Sequence, residues 1–167
     1  MALIITVAQQ KGGAGKTMVA ANLAAHWGAT QRVAILDIDP QRSLARWHKL
    51  RTAGNRAIRA ASLVLIPLQP SPPDLWAAEG TLKLAATERR PVALALNRAP
   101  AKSRLRTAIE NEIAGRGLNL LPAVLGNRTA YAQAFATGMG VTEGARPGLA
   151  GAELAALAAA VLEAANA

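Results

Sequence analysis

At 167 residues, with 51% hydrophobic and 17% charged types, the chain is too apolar to stay disordered and long enough for one domain with its own core. It contains no cysteine, which excludes a disulfide framework, a thiolate zinc site and a thiol nucleophile, and suits a reducing compartment such as the cytoplasm. Nineteen Lys and Arg against ten Asp and Glu leave a formal charge of +9, which points to a polyanionic partner, nucleic acid first.

Leu3 to Ala8 is a short apolar, β-branched run without the basic start or cleavage site of a signal peptide, and it reads as a strand. Gln9 and Gln10 then lead into a glycine-rich loop, Lys11 to Thr17, and into VAANLAAHW with helical spacing. Arg32 to Asp39 is a continuous apolar run closed by acids and Pro40, the pattern of a strand buried on both faces. Ser62 to Gln69 and Pro91 to Asn97 repeat it, and the run from Leu118 is a weaker example. Helices are expected over Asp74–Thr87, Ser103–Gly115, Asn127–Thr137 and Gly151–Ala165, the last with Leu154, Leu157, Val161 and Leu162 on one face. The segment QPSPPD reads as a loop in which Asp74 caps the following helix. No run has the length of a membrane span, and no linker divides the chain. Alternating strands and helices predict one α/β domain over residues 1–167, a doubly wound and mostly parallel sheet between two helical layers.

The strongest chemical signal is Lys11-Gly12-Gly13-Ala14-Gly15-Lys16-Thr17. Glycines let backbone N–H groups turn inward around an anion, and the following helix adds its positive end. Lys16 would reach the β and γ phosphates of a nucleotide, and Thr17 would ligate magnesium. The ordinary phosphate-loop pattern needs glycine at position 10, where this chain has Gln10. It matches instead the deviant form KGGxGK[ST], which opens on an extra lysine.

With Asp37-Ile38-Asp39-Pro40-Gln41-Arg42-Ser43-Leu44 and Trp47, this loop resembles the ParA family of partition ATPases, within the ParA/MinD group of P-loop proteins. Leu65 to Ser71, Leu96-Asn97-Arg98 and Gly126-Asn127-Arg128 with Tyr131-Ala132 resemble later segments of the short ParA proteins. The resemblance implies ATP and Mg2+ as cofactors and a homodimer that forms on ATP binding, with Lys11 reaching the partner's phosphates and Gly12 allowing close approach across the dimer. Gly12, Gly13, Ala14, Gly15, Lys16, Thr17 and Met18 would bind nucleotide, with Asn97 on the adenine. Asp39 would position the attacking water, and Asp37 would support magnesium beside Thr17; as bare residues these two acids also fit a strand-end cap, and Asn97 a turn. Met18 stands where the family usually has a second threonine. In that family the ATP form binds DNA without sequence preference and works with a centromere-binding ParB-like adaptor, in the cytoplasm on the nucleoid.

One segment departs from the family. The strand carrying the Walker B carboxylate and second switch has no counterpart, since the chain passes from Trp47 to Ser62 with no acid between Pro40 and Pro73. One central strand is therefore expected to be missing, and ATP hydrolysis to be impaired with it. That leaves a second reading, a nucleotide-dependent DNA-binding module that does not hydrolyse. A MinD-like membrane-positioning protein is a third, disfavoured because no lysine or arginine follows Arg146. Basic residues cluster at Arg42, Arg46, Lys49, Arg51, Arg56 and Arg59, and again at Arg98, Lys102, Arg104 and Arg106. They read either as solvated faces or as phosphate contacts, with Arg98, Lys102, Arg104, Arg106 and Arg128 the candidates for DNA.

Overall fold

The computed structural model describes residues 3–9, 12–35, 61–143 and 148–167. In chain order these form β1 (Ile5–Val7), α1 (Lys16–Gly28), β2 (Leu63–Leu68), α2 (Pro72–Thr87), β3 (Val92–Ala99), α3 (Arg104–Gly115), β4 (Leu120–Gly126), α4 (Thr129–Ala136) and α5 (Leu149–Asn166). The strands make one parallel sheet in the order β1-β2-β3-β4. Parallel neighbours require crossover connections, and α2 and α3 supply them between β2, β3 and β4.

Strand β2 is buried along its whole length, as its unbroken apolar run requires, and its alternate side chains serve two cores. Leu63 and Leu65 pack with Val19 and Leu23 of α1 and with Leu154, Leu157 and Val161 of α5. Val64 and Ile66 face Ala78 and Ala85 of α2, while Leu68 joins Leu75, Ile109 and Ile113 of α2 and α3. The result is the α/β/α layering expected of a doubly wound sheet. Pro67 is tolerated in β2 because the ladder with β1 ends at the Val7 and Leu65 pair. Beyond that pair, among the described residues, β2 has a strand on one side only, an edge-like position.

Two expectations need correction. Of the second expected strand, Arg32 to Asp39, residues 32–35 are not a strand, and residues 36–39 lie outside the described residues. A strand needs a ladder partner, and among the described residues none runs beside it; Ile35 instead packs on Ala21 and Ala25 of α1 with Phe135. The cap of α2 is Ser71 rather than Asp74. The Ser71 hydroxyl accepts from the Asp74 amide and donates to the Asp74 carboxylate at 2.7 Å, with Pro72 and Pro73 in the first turn, where no N–H is needed. Asp74 also accepts the Gln69 amide through Oδ1, which ties the loop after β2 to the helix start.

Candidate functional site

The loop after β1 is held from below. Ala8 N–H donates to the Leu65 carbonyl at 3.0 Å, and Gln9, which is buried, reaches the Asp74 carbonyl. Gly13 and Gly15 both turn into left-handed backbone, at φ 80° and 87°. Gly15 is the N-cap of α1, with no side-chain cap and no acid in the first turn. The first N–H groups of a helix need an acceptor, and here no side chain of the helix start offers one, so its positive end is open to an external anion. Among the described residues, a Cβ at Gly12 or Gly13 would meet nothing within 4 Å.

Asn97, at the end of β3, supports this loop. It is wholly buried, its amide nitrogen donates to the Ala14 carbonyl at 2.9 Å, and its amide oxygen accepts from the Arg98 N–H at 3.0 Å. A Cβ on Gly15 would come within 2.2 Å of that nitrogen. Arg98, the next residue of β3, sits at φ 51°, an uncommon conformation for a side chain that is not glycine, and is exposed in the cleft beside the loop.

A cleft of about 760 Å³ opens between the loop and the β4–α4 segment, with Lys16, Thr17 and Met18 on one wall and Asn127, Arg128 and Tyr131 on the other, and with Arg98. Among the described residues its lining has three cations and no acid. The far wall is fixed from α5. Glu153 accepts from the Gly126 N–H at 3.0 Å, from Arg128 Nε at 2.9 Å and from Arg128 Nη2 at 2.5 Å. The Arg128 hydrogen bond, helped by the Gly126 amide, holds the Glu153 carboxyl below its usual range, and Glu153 in turn raises the Arg128 guanidinium. Tyr131 donates to the Ala150 carbonyl at 3.1 Å, and burial pushes its phenol up.

Phosphate charge fits this cleft, and so does a magnesium ion that arrives with it. Thr17 offers a hydroxyl, while no group of three His, Cys, Asp or Glu able to cage an ion occurs among the described residues. Phosphate-bound magnesium needs no such cage, because nucleotide oxygens and water supply most of its ligands.

The expected site residues are placed as follows. Gly12, Gly13, Gly15, Lys16, Thr17 and Met18 line the cleft, with Ala14 buried beneath them. Asn97 lies behind the loop, on the Ala14 carbonyl. Lys11, Asp37 and Asp39, and the basic cluster from Arg42 to Arg59, lie outside the described residues. The candidates for DNA divide. Arg98 and Arg128 line the cleft, whereas Lys102, Arg104 and Arg106 line a separate concavity of about 460 Å³ at the start of α3. Sequence reasoning missed Glu153, whose partners lie 25 and 27 residues away; its only signal was that it is one of two acids on a mostly apolar helix.

Residues 5–141 match the profile of the CobQ/CobB/MinD/ParA nucleotide binding domain. The maintenance of carboxysome distribution protein A of Halothiobacillus neapolitanus is 27% identical, over 87% of this chain and 89% of that protein. That alignment runs over 193 positions against a chain of 167 residues, so the relative carries residues this chain lacks. The protein of the same name from Gloeobacter kilaueensis is 46% identical over 50 residues, 30% of this chain and 23% of its own. In fold, an ATP complex of McdA from Cyanothece superposes with a TM-score of 0.76 at 13% identity, covering 95% of this chain and 96% of that one. The cell division ATPase MinD of Pyrococcus furiosus follows at 0.66 and 15%, covering 98% and 99%. With its deviant phosphate loop and its parallel sheet between helical layers, the chain belongs to the ParA/MinD group of the CobQ/CobB/MinD/ParA nucleotide-binding domain family.

Proposed function

We propose that the protein binds ATP with Mg2+ in the cleft, dimerises in that state, binds DNA without sequence preference and positions a cargo through an adaptor, as a nucleoid-associated cytoplasmic ATPase. The observation that carries this reading is the uncapped start of α1 behind two left-handed glycines, opening on a cleft whose charged lining residues, among those described, are all cations. Backbone N–H groups and Lys16 would hold the phosphates, Thr17 the ion, and Arg98 and Arg128 would face the rest of the nucleotide. Magnesium would neutralise charge on the transferring phosphoryl group. Asp39 would orient water and Asp37 support the ion. Met18 removes a hydroxyl from the α-phosphate end, and Asn97, through the Ala14 carbonyl, would keep the loop in its binding shape. The relatives named for carboxysome distribution favour positioning of a large assembly over plasmid partition.

Phosphate release in the presence of Mg2+, DNA and a candidate adaptor tests the enzymatic part. Turnover well above that of an Asp39→Ala control is expected. Turnover equal to the control favours the second reading, a nucleotide-gated DNA-binding module, which draws on the acid-free stretch from Gln41 to Pro72 and on the extra length of the aligned relative.

The homodimer has its own test. Lys11→Ala should leave ATP binding by the monomer intact and abolish the ATP-dependent shift to dimer in analytical ultracentrifugation. A variant that still dimerises rejects the shared phosphate site.

A membrane role finds little support. Against the expectation that no run is long enough, helix α5 has the length and apolar composition of a span, but Leu154, Leu157 and Val161 are buried against the sheet.

A further inference from the structure

The cleft has two walls, and only the phosphate loop carries a recognised motif. The opposite wall, from Gly126 to Tyr131, is a strand end, a short connection and the first turn of α4, and two residues of α5 bind it. The Ala150 carbonyl takes the Tyr131 hydroxyl, and Glu153, one helical turn on, takes the Gly126 amide and the Arg128 guanidinium. Neither Ala150 nor Glu153 lines the cleft.

The fit around Glu153 is close. A Cβ at Gly126 would stand 3.2 Å from Glu153 Oε1 and 3.2 Å from Arg128 Nε, so a side chain there would push the carboxylate and guanidinium back by a few tenths of an ångström. Glu153 uses part of the donor fork of Arg128, and an arginine so held keeps further N–H groups for a ligand. The loop at Gly12 to Lys16 takes the phosphates, so the wall across the cleft is left to face the nucleoside.

We infer that Glu153 is a positioning residue for nucleotide selectivity: from outside the cleft it locks the Gly126–Tyr131 wall and aims Arg128 at the sugar and base end of the ligand. The inference rests on the nucleotide reading above. Its consequence is a separation of two affinities, because phosphate binding depends on the loop and nucleoside binding on the α5-held wall.

The test compares ATP with inorganic tripolyphosphate, which carries the phosphate charge without the nucleoside, by calorimetry on the full chain. Glu153→Gln keeps the shape and an acceptor for the Gly126 amide but loses the charge and the paired geometry toward Arg128. It is expected to weaken ATP about tenfold, the scale of one charge-assisted hydrogen bond misplaced, and to leave tripolyphosphate within about twofold. Arg128→Lys, which retains the charge and lacks the fork, should show the same selective loss. Equal losses for both ligands, or none for either, overturn the inference. If the wild-type chain binds neither ligand, the nucleotide reading itself falls. Amide exchange at Gly126 in the ligand-free chain then decides the lock: faster exchange in Glu153→Gln upholds it, and unchanged exchange overturns it.

Discussion

Gly15→Ala is expected to abolish measurable ATP binding and to destabilise the fold at once. The backbone there is left-handed at φ 87°, which costs a side chain about 1–2 kcal/mol. The new methyl would also arrive within 2.2 Å of the Asn97 amide nitrogen. That amide cannot swing into solvent, because Asn97 is wholly buried, so it must break its bond to the Ala14 carbonyl. A buried polar group left without its partner costs about 1–3 kcal/mol. The combined loss, about 2–5 kcal/mol, is a large share of the roughly 5–15 kcal/mol that holds a domain together. At roughly 2–4 °C per kcal/mol for a chain of this size, thermal unfolding should shift down by about 4–20 °C. Affinity for ATP should fall by more than about a hundredfold, since each 1.4 kcal/mol of loop distortion is about tenfold. Gly12→Ala is the control for folding: among the described residues no atom lies within 4 Å of the added Cβ, and its melting temperature should match the wild type. Near-native ATP affinity in Gly15→Ala rejects this loop as the phosphate cradle.

The same pair of residues marks how far sequence reading reached. Gly15 and Lys16 announce themselves because their role is local: a strand, a turn that needs positive φ and a helix start lie within a few residues of one another. The need for glycine at position 15 has a second cause that is not local. It comes from Asn97, 82 residues on, whose amide fills the space a Cβ would take. A motif records that glycine is required without recording what excludes the alternatives.

Elements showed the same division. Strands β2 and β3 were legible as unbroken apolar runs, because a strand covered by helices on both faces has no polar side to show. Arg32 to Ile35 carries the same pattern and is not a strand, since apolar character says that a segment is buried and leaves its ladder partner unspecified. The cap at Ser71 was misread because Asp74 is an equally good capping type. The two prolines decide, by fitting the first turn and leaving the residue before them as the cap. The wall of the cleft was the least legible part. Gly126, Arg128 and Tyr131 gain their role from α5, which folds back onto β4 from the end of the chain.

Affinity for DNA is expected to fall by about a hundredfold between 50 mM and 200 mM salt, the loss that goes with roughly four phosphate contacts. The reason lies in which cations are already matched. Arg106 pairs with Glu110, Arg116 with Glu79 and Glu112, and Arg128 with Glu153, so four of the ten acids are taken by three arginines. Asp74 is spent on the α2 cap. The excess of +9 therefore falls on side chains such as Lys102 and Arg104, which are exposed and make no ion pair among the described residues. Their placement is also unfavourable for the free protein. They stand at the start of α3, whose first turn has no acid, where the helix dipole already supplies positive charge. A phosphate in the concavity they share with Arg106 would relieve that repulsion and accept from the guanidinium and ammonium donors at once. With Arg106 held by Glu110, two protomers, each presenting Lys102 and Arg104, would supply four contacts. Replacing Lys102 and Arg104 by alanine should reduce the salt slope by about four for a dimer, at about one unit for each lost phosphate contact, with equal loss on any DNA sequence. A flat salt dependence in the wild type rejects DNA as the polyanion. A slope unchanged in the double variant moves the contact away from the start of α3.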